Sequence, residues 1–311
     1  MDDPDVAGGR SADAMTLSRR QFAKSALVPV MMRQAFAGTN TLYRGVQLGI
    51  CSYSFRGLGL DELVRQMSAV PMGQLELENL FIEPGSGGRG QTPEQREALR
   101  KWRLSVPLDE IRAIRRRLDE AGIDVYAYNI PVNTTFSEEE VDRVFRMARI
   151  FGARAVNCMT TLSAVPLLAA AAEQHNMRVG LHPSGGAGTG QDAIGTGDSY
   201  RKAFAASPLI GANLDLNGWR AWGADPLAFL REIGPRVTTM HTHDSKPGEP
   251  RSIAVPFGDG TNPLRDVLRL IQRERFPLVA MIERTWNLPD GADNVAELRK
   301  ALAYCKGALD A

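Results

Sequence analysis

From about residue 40 onward, short β-type apolar runs alternate with stretches in which apolar residues recur three and four positions apart. The β-type runs are Val46 to Phe55, Gln74 to Glu78, Asp124 to Ile130, Ala155 to Thr160, Arg178 to Pro183, Gly211 to Leu216, Val237 to Asp244 and Leu278 to Arg284. Between them, Leu60, Leu63, Val64 and Met67 share one helical face, as do Ile111, Ile114 and Leu118. Val141, Val144, Phe145 and Ala148 repeat the pattern, and so do Leu264, Val267, Leu268 and Ile271. Asp225-Pro226 and Asn262-Pro263 read as helix starts, with a capping side chain before a proline at the first helical position, where a missing N–H costs nothing. Strands alternating with helices predict an α/β protein on a parallel sheet, and eight such units in roughly 270 residues predict a single-domain (β/α)8 TIM barrel. An open doubly wound sheet usually binds its ligand where the first helix begins; no G-x-G-x-x-G or P-loop stands there. Two segments interrupt the rhythm. Phe81 to Val106, rich in glycine and charge, is expected to be a long loop over the barrel mouth, and Ser184 to Gly197 is a second glycine-rich loop.

The first forty residues read as an address rather than as structure. Ser18-Arg19-Arg20-Gln21-Phe22-Ala23-Lys24 matches a twin-arginine export motif; a weakly apolar segment from Ser25 to Met32 follows, and Ala35-Phe36-Ala37 offers a small-x-small cleavage site. Residues 1–37 are therefore expected to be a twin-arginine signal peptide, 38–311 the barrel, and the periplasm the destination.

Composition narrows the partners. Thirty-seven Lys and Arg against 36 Asp and Glu give a net charge of +1, with no electrostatic footprint for nucleic acid or an acidic membrane surface. No apolar run reaches the roughly 20 residues that span a bilayer. A small-molecule substrate is the expectation. Cys51, Cys158 and Cys305 cannot all pair, and buried free thiols are expected.

In a (β/α)8 barrel the carboxyl ends of the strands converge on one site. Four successive strands here end in residues that can bind a metal: His182 on the fifth, Asp215 on the sixth, His241 on the seventh and Glu283 on the eighth. The chain has only four histidines, and three of them (His182, His241 and His243) lie at these ends. Singly, each has a structural explanation as a bonded core histidine or a turn cap. Their occurrence together and in register points to a metal.

At this point the chain resembles the xylose isomerase-like TIM barrels, the sugar phosphate isomerases/epimerases. The resemblance covers the chain beyond the leader and rests on Leu48-Gly49-Ile50-Cys51-Ser52-Tyr53-Ser54, Ala121-Gly122-Ile123-Asp124-Val125-Tyr126-Ala127-Tyr128-Asn129 and Gly211-Ala212-Asn213-Leu214-Asp215. Asp225-Pro226, His241-Thr242-His243-Asp244, Phe257-Gly258-Asp259-Gly260 and Met281-Ile282-Glu283 complete it. Such proteins typically bind one divalent cation through Glu, Asp, His and Glu on strands five to eight. The resemblance places the last three on Asp215, His241 and Glu283, while the first falls on His182, a departure that removes a carboxylate. A second departure is Gly218, where many relatives carry a histidine three residues after the aspartate.

Two imidazoles and two carboxylates suit Mn, Co, Zn or Fe(II) better than Ca or Mg, and the resemblance favours manganese. The implied chemistry is removal of the proton between a carbonyl and its neighbouring hydroxyl to give an enediolate, followed by return of the proton to the other carbon or the other face. The resemblance makes Glu283 the first candidate base; His243, Asp244 and Glu78 are candidate second acids. Tyr53, Phe55, Trp219, Trp222 and Trp286 are candidate faces for a sugar ring, or else the upper core layer of the barrel. Lys246, Arg251 and Arg284 could meet an anionic group or simply face solvent. Phosphorylated sugars are scarce outside the cytoplasm, so an unphosphorylated carbohydrate is favoured. Two alternatives stand beside the isomerase/epimerase: a metal-dependent lyase or hydratase acting on a keto-sugar or keto-glycoside, and a non-catalytic sugar-binding barrel. A DNA-cleaving enzyme of the endonuclease IV type, which needs more histidines and a basic surface, is excluded.

Overall fold

The structure is a computed structural model that describes residues 41–86, 91–183, 190–221, 223, 225–248 and 252–311. The twin-arginine segment, Trp222, Arg251 and residues 184–189 of the second glycine-rich loop lie outside the described residues.

Eight parallel strands form the barrel: β2 (Val46–Cys51), β3 (Gln74–Glu78), β4 (Asp124–Asn129), β5 (Ala155–Met159), β6 (Arg178–His182), β7 (Ile210–Asp215), β8 (Val237–Thr242) and β11 (Val279–Ile282). Each pairs in parallel with the next, β11 lies between β8 and β2, and the β2–β3 pairing closes the ring. A short strand β1 (Leu42–Tyr43) joins β2 antiparallel. Every expected strand is present, and β3 agrees at both ends. The first is shorter than expected. Ser52–Phe55 turns into a 3-10 helix, because the Ser52 and Ser54 hydroxyls accept the backbone N–H groups of Glu78 and Arg284 and tie the turn to neighbouring strand ends. The seventh also divides. β8 stops at Thr242, and the chain continues as β9 (Asp244–Lys246), paired antiparallel with β10 (Ile253–Val255).

Helices α1 (Leu60–Ala69), α3 (Leu108–Glu120), α4 (Glu138–Phe151), α5 (Val165–His175), α6 (Gly197–Phe204), α7 (Pro226–Ile233), α8 (Leu264–Glu274) and α9 (Asn294–Asp310) follow the barrel strands in turn. Their apolar faces bury Leu63 and Met67, Ile111 and Leu118, Val144 and Phe145, Leu268 and Ile271. Asp225 caps α7 through the N–H groups of Leu227 and Ala228, as its place before Pro226 predicts. Asn262 does not cap α8. Its side chain instead donates to the His243 carbonyl and accepts from Ser245 and Trp219, leaving Pro263 as the residue before the helix. All three cysteines are buried and free. Gly180 on β6 is required by close approach: a Cβ there would stand 2.0 Å from the Thr238 hydroxyl and 2.2 Å from Asn157 Oδ1.

The insertion after β3 departs from the expected loop. Its second half is a helix, α2 (Pro93–Ser105), started by a Thr92/Gln95 capping box and the proline at its first position. An ion pair anchors it. Arg103, 7% exposed, donates twice to Glu83 at 2.8 and 2.7 Å and stands 3.5 Å from the buried Glu140. Charge in this segment therefore marks internal pairing as well as surface. Arg103→Ala leaves the buried Glu83 without its cation and Glu140 with only Arg100, 3.9 Å away, so it is expected to cost about 3–5 kcal/mol of stability in urea unfolding. An unchanged unfolding midpoint would show that the insertion rests on the barrel without being held by this pair.

Candidate metal centre at the carboxyl end of the barrel

Strand alternation brings the candidate ligands together. Asp215, the last residue of β7, is the register partner of His241 on β8, and His243 lies two residues on. Glu283 directly follows β11, and its N–H donates to the Thr242 carbonyl at 3.1 Å. His243 Nε2 stands 2.9 Å from both Asp215 Oδ1 and Glu283 Oε2, and His241 Nδ1 lies 3.3 Å from Glu283 Oε2. One donor atom from each of Asp215, His241, His243 and Glu283 falls within 4.8 Å of all the others. That spacing suits one ion with donors at about 2.0–2.3 Å after small side-chain movements. His182 stands at the side, its Nε2 3.6 Å from Asp215 Oδ2 and its ring centroid 4.9 Å from that of His241. The structure thus sets His243, expected as an acid, among the donors, and His182 next to them.

The polar atoms fit a cation. His241 Nδ1 and His243 Nε2 are buried, and neither has a hydrogen-bond partner among the described residues despite carboxylate oxygens 2.9 to 3.3 Å away. Buried nitrogens left without hydrogen bonds in this way are suited to coordination. The electrostatics agree. Burial alone would push both imidazoles down, but the neighbouring carboxylates outweigh it: Glu76 and Glu283 hold His241 well above its ordinary value, and Asp215 and Glu283 push His243 up to about 10. Burial likewise works against ionised Asp215 and Glu283, yet the facing imidazoles keep both well below the usual carboxylate range. Imidazole protons here supply the positive charge that a divalent ion would otherwise bring.

Glu78 differs from them. At the end of β3, it is pushed up to about 8 by burial first and by Glu283 and Glu76 next, and its Oε2 is buried without a partner among the described residues. That shift favours its protonated form at neutral pH. Beneath the cluster lies a residue that sequence reasoning missed. Glu76, fully buried on β3, reaches His241 Nε2 at 3.0 Å and accepts from Asn129 and Asn213. Its signal was available in Leu75-Glu76-Leu77: two residues before Glu78, it shares a strand face with that residue, inside a barrel normally filled by apolar layers.

Several candidates have other work. The Asp244 carboxylate accepts the N–H groups of Ser245, Gly258, Gly260 and Asn262, which gives it the task of holding a loop and leaves no free oxygen for proton transfer. Phe55 is completely buried and belongs to the core, so it offers no face to a substrate. Trp286 is buried against Phe257, with ring centroids 6.1 Å apart. Arg56 stacks on Tyr53 and Arg220 on Trp219, and Trp219 Nε1 donates to Asn262. Lys246 is exposed on β9, while Arg284 is buried and donates to the carbonyls of Trp286 and Ser54. At Gly218 an added Cβ would meet no heavy atom of the described residues within 4 Å.

A closed parallel (β/α)8 barrel with a nitrogen- and oxygen-donor cluster at its carboxyl end defines a class of barrel proteins with a candidate metal centre. The chain belongs to the xylose isomerase-like TIM barrel family, whose model matches residues 91–306. Solved structures share the fold. A xylose isomerase domain protein from Alicyclobacillus acidocaldarius is 15% identical with a TM-score of 0.62, over 85% of this chain and 98% of that one. An L-ribulose 3-epimerase is 12% identical with a TM-score of 0.60, over 85% and 95%. The IOLI protein, solved with a bound zinc atom, is 12% identical with a TM-score of 0.60, over 85% and 98%. No curated protein sequence matches the chain.

Two expectations follow from the donor geometry. Asp215→Ala and His243→Ala should each weaken divalent-ion binding by more than about 100-fold, and His182→Ala by much less, as read by calorimetry; equal losses at His182 and His243 would contradict the arrangement. Because His241 and His243 carry raised values, ion uptake at pH 7 should displace about one to two protons, and affinity should fall as the pH falls. Binding heats measured in buffers of different ionisation enthalpy give the proton count, and zero release would contradict the electrostatic account.

Proposed function

We propose that this chain is a divalent-metal-dependent isomerase or epimerase of an unphosphorylated sugar or related polyol ketone. The observation that carries the proposal is the convergence of Asp215, His241, His243 and Glu283 beside Glu78, whose protonated form is favoured at neutral pH. Family membership, and the likeness to an L-ribulose 3-epimerase, support it. Manganese is the first choice of ion for this mixed donor set, with cobalt, zinc and iron(II) next. When bound, the ion supplies charge that polarises a carbonyl and its neighbouring hydroxyl, making the C–H between them acidic.

The chain's own residues supply the proton transfers. Glu283 is kept ionised by His241 and His243 and is the base that takes the carbon-bound proton. Glu78, whose protonated form is favoured at neutral pH, is the acid that supplies a proton to the substrate oxygen or carbon. With His182 where the resemblance expects a glutamate, Glu78 supplies the second carboxyl group beside the metal-held Glu283. An exported setting, to which the twin-arginine leader would direct the chain, agrees with an unphosphorylated substrate.

The test is incubation of manganese-loaded protein with unphosphorylated ketoses and aldoses in deuterated water. The expected result is deuterium at the carbon next to the carbonyl, lost in Glu283→Gln while the metal is retained. A fully loaded protein that exchanges no proton on any of them would overturn the proposal, and an unsaturated product would instead identify a lyase. Glu78→Gln should lower kcat by about 100-fold or more without changing metal content. Since Glu78 acts as an acid and releases its proton near pH 8, kcat should fall as pH rises through about 8. A rate that stays flat above that pH would assign the acid elsewhere.

A further inference from the structure

We infer that Glu76 is a positioning residue for the metal: by accepting the Nε2 proton of His241, it sets the tautomer and ring orientation that aim His241 Nδ1 at Asp215, His243 and Glu283. This rests on the reading of the cluster as a metal centre. It begins from an oddity of the barrel interior. β3 is three strands from β8 around the closed ring, yet Glu76 Oε1 lies 3.0 Å from His241 Nε2, so its side chain crosses the space that a barrel usually fills with apolar layers. A carboxylate in such a place is costly unless its charge is met by hydrogen bonds.

Three donors meet one of its oxygens, Oε1, while Oε2 is buried without a partner among the described residues. Asn129 Nδ2 from β4 lies 2.7 Å away, Asn213 Nδ2 from β7 lies 3.1 Å away, and His241 Nε2 completes the set, all on the same oxygen. This arrangement assigns the proton. Both asparagine NH2 groups are donors, so Oε1 is an acceptor toward them, and turning either amide over would set a carbonyl oxygen against a carboxylate oxygen. The proton that His241 keeps is therefore the one on Nε2, and when an ion displaces the other, Nδ1 offers its lone pair 3.3 Å from Glu283 Oε2. Carboxylate, imidazole and metal in that order is a common way to fix a ligand's tautomer and raise its basicity. Glu76 and both asparagines are nine-tenths or more buried, so the pattern is set before any ion arrives.

A rival use of the same atoms is a second ion held by Cys51, Glu76 and His241, whose donors also lie within 4.8 Å of one another. One experiment separates the two. Wild-type protein labelled with 15N-histidine and loaded with zinc is expected to show His241 with its proton on Nε2 and the ion on Nδ1, resolved from only three other histidines in the chain. Glu76→Gln is expected to weaken manganese binding, followed by electron paramagnetic resonance, by about 10- to 100-fold, with one ion still bound at saturation. Affinity within twofold of wild type, a proton on Nδ1, or two ions per chain falling to one in the variant would each overturn the inference. If Glu76→Gln fails to fold, the histidine spectrum of the wild type decides alone. Wild-type protein that holds no divalent ion would overturn the metal reading, and this role with it, whereas an unaltered affinity in the variant would remove only the role of Glu76.

Discussion

Two carboxylates, Asp215 and Glu283, are held at the carboxyl end of a closed parallel barrel, where burial works against their ionisation unless a positive partner is present. The rest of the site follows from that constraint. Adjacent strands set the positions: Asp215 opposite His241 across β7 and β8, and Glu283 against Thr242 at the end of β11. Two imidazoles then meet the negative charge, and what they carry decides the state of the centre. With protons on them the cluster is a set of buried ion pairs. With a divalent ion in their place, the same nitrogens become ligands, and the protons leave.

The polar column beneath the site has a second consequence. Glu76, Asn129 and Asn213 join strands on different sides of the ring, and Asn157 bonds to Thr238 and Thr239 nearby. Each bond narrows the positions open to a side chain above it. A barrel interior packed only with aliphatic groups would be easier to stabilise but would leave His241 free to rotate. Close approach at Gly180 belongs to the same design, since even a methyl group there would displace Asn157 or Thr238.

Much of this was legible in the chain. Strand and helix periodicity located all eight barrel strands, because parallel strands buried on both faces leave a plain apolar signature, and Asp225-Pro226 marked a helix start. Strand ends were less legible. Ser52 and Ser54 look compatible with a strand but bond sideways to Glu78 and Arg284, and a long-range contact of that kind has no local signal. The insertion from Phe81 to Val106 looked like a loop because its charges and glycines hid a helix whose capping box and Glu83–Arg103 pair depend on tertiary packing. At the site, residue types were visible but roles were not. His243 and His182 are both strand-end histidines, and only the twist of the closed ring puts one 2.9 Å from two carboxylates and the other 3.6 Å from one. Asp244 shows the reverse: a carboxylate beside two histidines that is wholly used by backbone amides.

The central claim is that one ion sits among Asp215, His241, His243 and Glu283. Anomalous diffraction at the manganese edge, from crystals grown with that ion, tests it most directly. The account predicts a single strong peak at the carboxyl end of the barrel, about 2.0–2.3 Å from His241 Nδ1, His243 Nε2 and an oxygen each of Asp215 and Glu283. A peak centred elsewhere, or none at full manganese occupancy of the crystallisation medium, would contradict it and leave the four residues as a buried network of ion pairs.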